Sequence, residues 1–122
     1  FYYRHLDVHA MREAAGYLVG EHDFKSFCSI HAQVETTVRR IYALTVDKKK
    51  DIITIRITGN GFLYNMVRII AGTLIRVGTG EYKPEQIPEI LAAKDREMAG
   101  PTAPAHGLTM IGIEYEDLEE KS

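Results

Sequence analysis

Residues 59–74 read GNGFLYNMVRIIAGTL, and their apolar residues recur at the three-to-four spacing of an α-helix. The apolar face consists of Leu63, Met66, Val67, Ile70, Ala71 and Leu74. We predict a helix over about residues 62–77, with Asn60 as its N-cap. Gly78 and Gly80 then close the helix. A helix with so many apolar residues is buried on most of its sides.

Small and polar residues form one stripe along this apolar helix. Gly61, Asn65, Arg68 and Gly72 follow one another at spacings of four, three and four. An arginine that is buried needs an anion, and glycines beside it leave room for a backbone or a ligand to approach closely. Two interpretations of Arg68 stay open on the residues alone. It belongs to a functional site, or it pairs with a structural carboxylate or extends to water.

The chain before this helix begins with another amphipathic segment. We predict a first helix over about residues 8–19, capped by Asp7 and stopped at Gly20. Residues 21–27 are polar apart from two Phe, and we predict a loop there.

A pair of strands is predicted between the two helices. β-Branched and aromatic residues are frequent in residues 36–46, and residues 52–58 alternate over their second half. The polar residues 47–51 between them have the length of a hairpin connection. We therefore predict an antiparallel pair.

The C-terminal third contains a short helix, a stiff loop and a strand. Pro84 suits the first turn of a helix that frays near residues 94–96. Residues 99–106 hold two prolines and no large side chain, which indicates a rigid loop, and residues 108–115 alternate as a last strand. The predicted order is helix, strand, strand, helix, helix, strand, so the fold class is α+β.

Composition limits the class of protein. A chain of 122 residues has the usual size of one domain, and 45% apolar residues suffice for one core. The net charge of -2 counts weakly against a stand-alone RNA binder. Cys28 is the only cysteine, so neither an intrachain disulfide nor a thiolate-only metal cluster can form. We expect a reducing compartment, the cytoplasm.

Several segments resemble one enzyme family. Residues 59–74 resemble the signature helix of the tRNA pseudouridine synthase A family, and residues 99–108 are similar to its late active-site loop and strand. Shorter similarities lie at residues 22–27, 37–39 and 94–96. They follow the family's order and spacing over nearly the whole chain.

The resemblance implies a fold and an activity. It implies that residues 1–122 are a single domain, the C-terminal half of a tRNA pseudouridine synthase A, with an antiparallel sheet and helices packed on one face. The family converts uridine to pseudouridine in the anticodon stem-loop, at nucleotides 38–40 of tRNA. It uses no cofactor and no metal, and it acts as a homodimer.

The resemblance also implies roles for particular residues. Arg68 matches the arginine that pairs with the family's catalytic aspartate. The residues implied to line the cleft and bind RNA are Asn60, Phe62, Asn65, His106 and Leu108.

The nucleophile itself has no match in this chain. In the family the aspartate belongs to an Arg-Thr-Asp-x-Gly-Val-His-Ala stretch of the N-terminal half, and a base-stacking tyrosine is expected there too. Residues 7–10 match only part of this stretch. Because they begin a helix, we do not assign the nucleophile to them. We therefore expect the N-terminal half to be absent and the fragment to be inactive alone.

Two other functions remain as alternatives. One is a non-catalytic RNA-binding or dimerisation module of similar fold, in which Arg68 only grips phosphate. The other is a small-molecule enzyme on an α+β scaffold, which would need a polar cluster that the sequence does not contain.

Overall fold

Five segments of the chain are described by the computed structural model. Residues 6–28, 36–50, 52–63 and 65–103 are described with their side chains, and residues 111–117 by their backbone. Within these ranges the chain combines one sheet with helices packed on one of its faces, so the predicted α+β class is confirmed.

The described residues form three helices and four strands. The helices are α1 (Val8–Leu18), α2 (Met66–Gly78) and α3 (Ile87–Ala93). The strands are β1 (Gly20–Asp23), β2 (Val38–Lys49), β3 (Ile52–Gly59) and β4 (Ile111–Asp117). Single 3₁₀ turns occupy Lys25–Phe27, Pro84–Gln86 and Arg96–Met98.

The strands lie in the order β1-β2-β3-β4. The pair β2–β3 is antiparallel, as predicted, and β1 also pairs antiparallel with β2. In contrast, β4 runs parallel to β3, with Ile111 opposite Ile53 and Asp117 opposite Gly59. The reason is the connection: α2 and α3 lie between these two strands and form a long helical crossover, which is what a parallel pair requires.

The strand β1 was not expected, because residues 21–27 were predicted to be a loop. Gly20 pairs with Ile41 and Asp23 pairs with Val38 across the edge of the sheet. The residues of β1 are small or polar and carry no alternating apolar pattern. Their conformation comes from pairing with β2 and not from local preference.

The hairpin of β2 and β3 is longer than its sequence pattern indicated. Pairing continues to Lys49 opposite Ile52, so only a tight turn that includes Lys50 joins the strands. A bulge interrupts the ladder between Ile41 and Ala43. It falls at the end of the sheet where β3 leads towards α2.

The core lies between the sheet and the helices. The side chains of β2 and β3 that face the helices are Ile41, Leu44, Val46, Ile53, Ile55 and Ile57. The helix α1 begins as predicted, because the Asp7 carboxylate accepts a hydrogen bond from the Ala10 N–H over 3.0 Å. Its buried residues are Met11, Ala14, Ala15 and Leu18.

The helix α2 begins later than predicted, at Met66 and not near residue 62. Gly61 has φ +125° and Asn65 has φ +60°, so the backbone before Met66 is not helical. The prediction that Asn60 caps this helix is wrong, since Asn65 occupies the N-cap position. The prediction of extensive burial is confirmed, because Arg68 and Arg76 are the only residues of α2 that are not buried.

Candidate functional site

The end of β3 is joined to β2 by Asn60. The Asn60 N–H donates to the Arg40 carbonyl over 3.0 Å, and the Asn60 Oδ1 accepts from the Arg40 N–H over 2.8 Å. The side chain of Asn60 thus takes the place of a backbone acceptor just beyond the bulge. This use of the oxygen explains why Asn60 cannot cap α2.

Phe62 packs against the last residue of β3. A Cβ on Gly59 would lie 3.1 Å from the Phe62 ring and 2.8 Å from the Arg40 carbonyl oxygen. The ring is half-buried and packs against the core. The position of the Phe62 ring therefore requires a residue without a Cβ at position 59. Phe62 itself belongs to the segment that leads into α2.

Arg68 lies in the first turn of α2 and is half-buried. Its Nη2 donates to the Asn65 Oδ1 at a long 3.4 Å. Among the described residues, no carboxylate forms an ion pair with Arg68. The structure thus brings Asn65 and Arg68 together, with an amide as the partner of the guanidinium.

The surroundings of Arg68 favour an anion. The N-terminus of a helix carries the positive end of the macrodipole, so a cation in the first turn is unfavourable by about 0.3–1 kcal/mol. The other arginine of α2, Arg76, lies in the last turn and pairs with Glu81. Arg68 has the reverse placement, and a carboxylate or phosphate bound there would be stabilised by both the guanidinium and the positive end of the helix dipole.

A loop segment crosses α2 at Gly72. Residues 99–103 lie so close to Gly72 that a Cβ on this glycine would stand 1.8 Å from the Pro101 carbonyl oxygen. The predicted close approach at Gly72 is therefore made by backbone. The approach is mutual, because a Cβ on Gly100 would lie 2.9 Å from the Thr73 Cα.

Hydrogen bonds hold the same segment on α2. The Ala103 N–H donates to the Arg68 carbonyl over 2.9 Å, and the Gly100 N–H donates to the Thr73 Oγ1 over 2.9 Å. Arg96 donates to the Gly100 carbonyl over 2.8 Å and to the Thr102 Oγ1 over 3.2 Å. The chain beyond Ala103 therefore starts from a fixed position next to Arg68. His106 and Leu108, also predicted for the cleft, lie outside the described residues.

The carboxylate of Asp23 anchors the start of β2. Burial opposes its ionisation, but the Thr37 hydroxyl, the Lys25 N–H and the nearby charges of Lys94 and Lys25 together lower the pKa of Asp23. Two hydrogen bonds and one ion pair within the fold make Asp23 a structural group.

Arg39 is the residue at this end of the sheet whose importance the sequence did not indicate. Its Nε would lie 3.6 Å from a Cβ on Gly61, so its side chain extends across that glycine. In the sequence it appeared only within the short similarity at residues 37–39. A single arginine on a strand gives no periodic signal, and only the pairing of β2 with β3 places it here.

The described residues contain neither a metal-binding cluster nor a membrane-spanning helix. No group of three or more His, Cys, Asp or Glu side chains there is arranged to hold a metal ion. None of the helices in those ranges has the length and apolar character needed to cross a bilayer.

Comparison with known proteins gives consistent matches. A family model described as tRNA pseudouridine synthase matches residues 14–116. A tRNA pseudouridine synthase A of Brevibacillus brevis is 60% identical over 110 residues, which cover 90% of this chain and 45% of the relative. The enzyme of the same name from Bacillus subtilis is 52% identical over 117 residues, covering 96% of this chain and 47% of the relative. The chain thus spans a little less than half the length of these relatives.

Proposed function

Since this chain belongs to the tRNA pseudouridine synthase family, we propose that the protein converts uridine to pseudouridine in the anticodon stem-loop of tRNA. Relatives named tRNA pseudouridine synthase A, at 50–60% identity, support this activity and this substrate. The observation that carries the proposal is Arg68, a half-buried arginine in the first turn of an apolar helix, hydrogen-bonded only to an amide among the described residues.

Arg68 has a specific task in this proposal. The reaction uses an aspartate that attacks the nucleoside, after which the glycosidic bond breaks and the base turns and reattaches through carbon. Arg68 pairs with that aspartate, holds its carboxylate in position and keeps it ionised. The proposed aspartate belongs to the N-terminal half of the enzyme and completes the ion pair that Arg68 lacks among the described residues.

The neighbouring residues form the wall of the proposed cleft. Phe62 and Asn65 precede Arg68 at the entrance to α2, where a base flipped out of its stack would be received. The side-chain oxygen of Asn60 accepts a hydrogen bond from β2, and in this proposal its side-chain NH₂ group donates to RNA. His106 and Leu108 belong to the same proposed cleft, because the chain that leads to them starts beside Arg68.

The proposal extends to assembly. In this proposal, the domain associates with the N-terminal half of the enzyme, and tRNA is the substrate. The full-length protein is a homodimer in the cytoplasm. Val38 and Tyr42 support the need for a partner, because both are large apolar side chains that β2 leaves about 40% exposed.

The proposed role of Arg68 is tested in the full-length protein with undermodified tRNA. We expect Arg68→Ala to lower the rate of pseudouridine formation at least about a hundredfold, because a misplaced catalytic group costs that much. Arg68→Lys keeps the charge but loses the planar guanidinium group. Its rate should lie between that of wild type and that of Arg68→Ala.

The matched control is Arg76→Ala in the last turn of the same helix. Its loss removes a surface ion pair with Glu81 and should leave turnover unchanged. Turnover of Arg68→Ala within a few-fold of wild type, in a folded protein, would remove Arg68 from the catalytic site. Absence of pseudouridine with the wild-type protein would refute the proposed activity itself.

A further inference from the structure

Arg39 lies next to Arg40 in sequence, at the end of the sheet where β2 begins and β3 ends. By strand alternation its side chain lies on the same face as buried Ile41. It is half-buried, and its Nη1 donates to the Thr36 carbonyl over 2.8 Å and to the Val38 carbonyl over 2.7 Å. Two backbone acceptors thus hold the guanidinium in one orientation.

The other edge of this guanidinium has no hydrogen-bond partner among the described residues. Arginine has five N–H donors, and the two bonds of Arg39 involve Nη1 only. No described residue accepts a hydrogen bond from its Nε or Nη2, and no described carboxylate pairs with it. Two parallel N–H groups on one edge are the geometry that binds two oxygens of a phosphate.

Gly61 lies next to the Arg39 side chain. A Cβ there would lie 3.6 Å from the Arg39 Nε and 3.7 Å from its Cδ, so any side chain at this position would begin in contact with Arg39. Gly61 also has φ +125°, which disfavours any other residue. The same turn leads to Asn65 and Arg68, so Arg39 lies at the same end of the sheet as the proposed cleft.

We propose that Arg39 is a phosphate-binding residue whose Nε and Nη2 grip one backbone phosphate of the RNA strand that enters the cleft. This inference rests on the proposed function, because it takes the RNA substrate as the source of the phosphate. Arg39 contributes binding and orientation, whereas Arg68 contributes to the chemical step.

The test compares two arginines that are both anchored to a backbone carbonyl. Arg12 donates from Nε to the Val46 carbonyl over 2.8 Å, but its Nη2 already faces Asp47 at 3.9 Å. Val46 lies seven residues along β2 from Arg39, which is about 23 Å in a strand. Arg12→Gln therefore removes the same charge at the other end of the sheet.

Binding of undermodified tRNA to the full-length protein is measured over a series of salt concentrations. We expect Arg39→Gln to weaken binding about tenfold and to reduce the slope of log affinity against log salt by about one. Arg12→Gln should change neither by more than about twofold. Arg39→Lys should keep the salt slope and lose several-fold in affinity, because an ammonium group is not a fork.

Turnover separates binding from chemistry. We expect Arg39→Gln to raise KM with kcat nearly unchanged, in contrast to the fall in kcat expected for Arg68→Ala. Equal salt slopes for Arg39→Gln and Arg12→Gln, with an active wild-type enzyme, would overturn the phosphate role while leaving the proposed function intact. A large loss of stability with an unchanged slope would also overturn it, since the role of Arg39 would then lie in its hydrogen bonds within the fold. If Arg39→Gln does not fold, Arg39→Lys decides the question.

Discussion

At the scale of single residues, Asp23 shows how one carboxylate fastens the edge of the sheet. It accepts hydrogen bonds from the Lys25 N–H and the Thr37 hydroxyl, and it faces the Lys94 ammonium at 3.7 Å. These contacts favour the charged form, so the folded state lowers the pKa of Asp23 even though burial opposes ionisation. The motif at residues 22–27 that resembles the family is therefore structural at this position.

The pH dependence of stability follows from this shift. A carboxylate whose pKa is lowered by folding stabilises the protein above its unfolded pKa of about 3.9 and loses that contribution as the pH falls further. We expect Asp23→Asn to lower the free energy of unfolding by about 1–2 kcal/mol at pH 7.

Urea denaturation between pH 7 and pH 3 checks this expectation. The difference from wild type should shrink below about pH 4, where wild type also loses the charge. Asp47→Asn, at an exposed carboxylate of β2, is the control and should change stability by less than about 0.5 kcal/mol. A deficit in Asp23→Asn that stays constant down to pH 3 would show that the charge of Asp23 contributes nothing.

At the scale of elements, the crossing of residues 99–103 over α2 connects the loop to the site. Gly72 and Gly100 permit backbone to touch backbone, and the Thr73 hydroxyl and the Arg68 carbonyl supply the hydrogen bonds. A side chain added at Gly72 would meet a carbonyl oxygen of the main chain. This oxygen cannot move away as the end of a flexible side chain could.

Gly72→Ala should therefore be severely destabilising. The added Cβ would lie 1.8 Å from the Pro101 oxygen, so the loop or the helix has to move. We expect a loss of about 3 kcal/mol, at the upper end of the range for overpacked cores, together with a strong loss of activity because the loop is displaced. Chemical denaturation and the pseudouridine assay measure the two effects.

The control for this substitution is Gly16→Ala in α1. Nothing lies within 4 Å of a Cβ at Gly16, so alanine there should stabilise the protein by about 0.5–1 kcal/mol through helix propensity. A Gly72→Ala protein with wild-type stability would mean that the loop does not sit on α2 as described.

At the scale of the whole molecule, helices cover one face of the sheet, and the described side chains of β2 and β3 on the other face are exposed or half-buried. The helices bury the side of β2 and β3 that carries Ile41, Ile55 and Ile57, while Arg40 and Arg56 on the other side are exposed. The relatives of this chain are about twice its length. In the proposed enzyme, an N-terminal half supplies the aspartate that Arg68 requires.

This division predicts the behaviour of residues 1–122 on their own. We expect the isolated chain to form no pseudouridine on undermodified tRNA, since the proposed nucleophile lies outside it. The assay uses the full-length protein at equal concentration as the positive control, and circular dichroism verifies that the isolated chain is folded. Turnover by the isolated, folded chain would mean that the nucleophile is within these residues.

How much could be predicted depended on whether a feature is local. Some features follow from interactions within a few residues, or across one short turn. They are the cap at Asp7, the periodic face of α2, the helix α3 after Pro84 and the β2–β3 pair. The start of α2 was missed because Asn60 is occupied by the backbone of Arg40, which is twenty residues away in sequence.

The sequence by itself therefore determined the α+β class, the principal helices, the antiparallel hairpin and the isolated arginine in an apolar helix. Only the tertiary structure decided that residues 20–23 form an edge strand, that β4 runs parallel to β3, and that the loop at Pro101 touches Gly72. It also placed Arg39 at Gly61, beside the turn that leads to Arg68. The physical reason is that helix periodicity and capping are written in neighbouring residues, whereas strand pairing and backbone contact form between segments far apart in the chain.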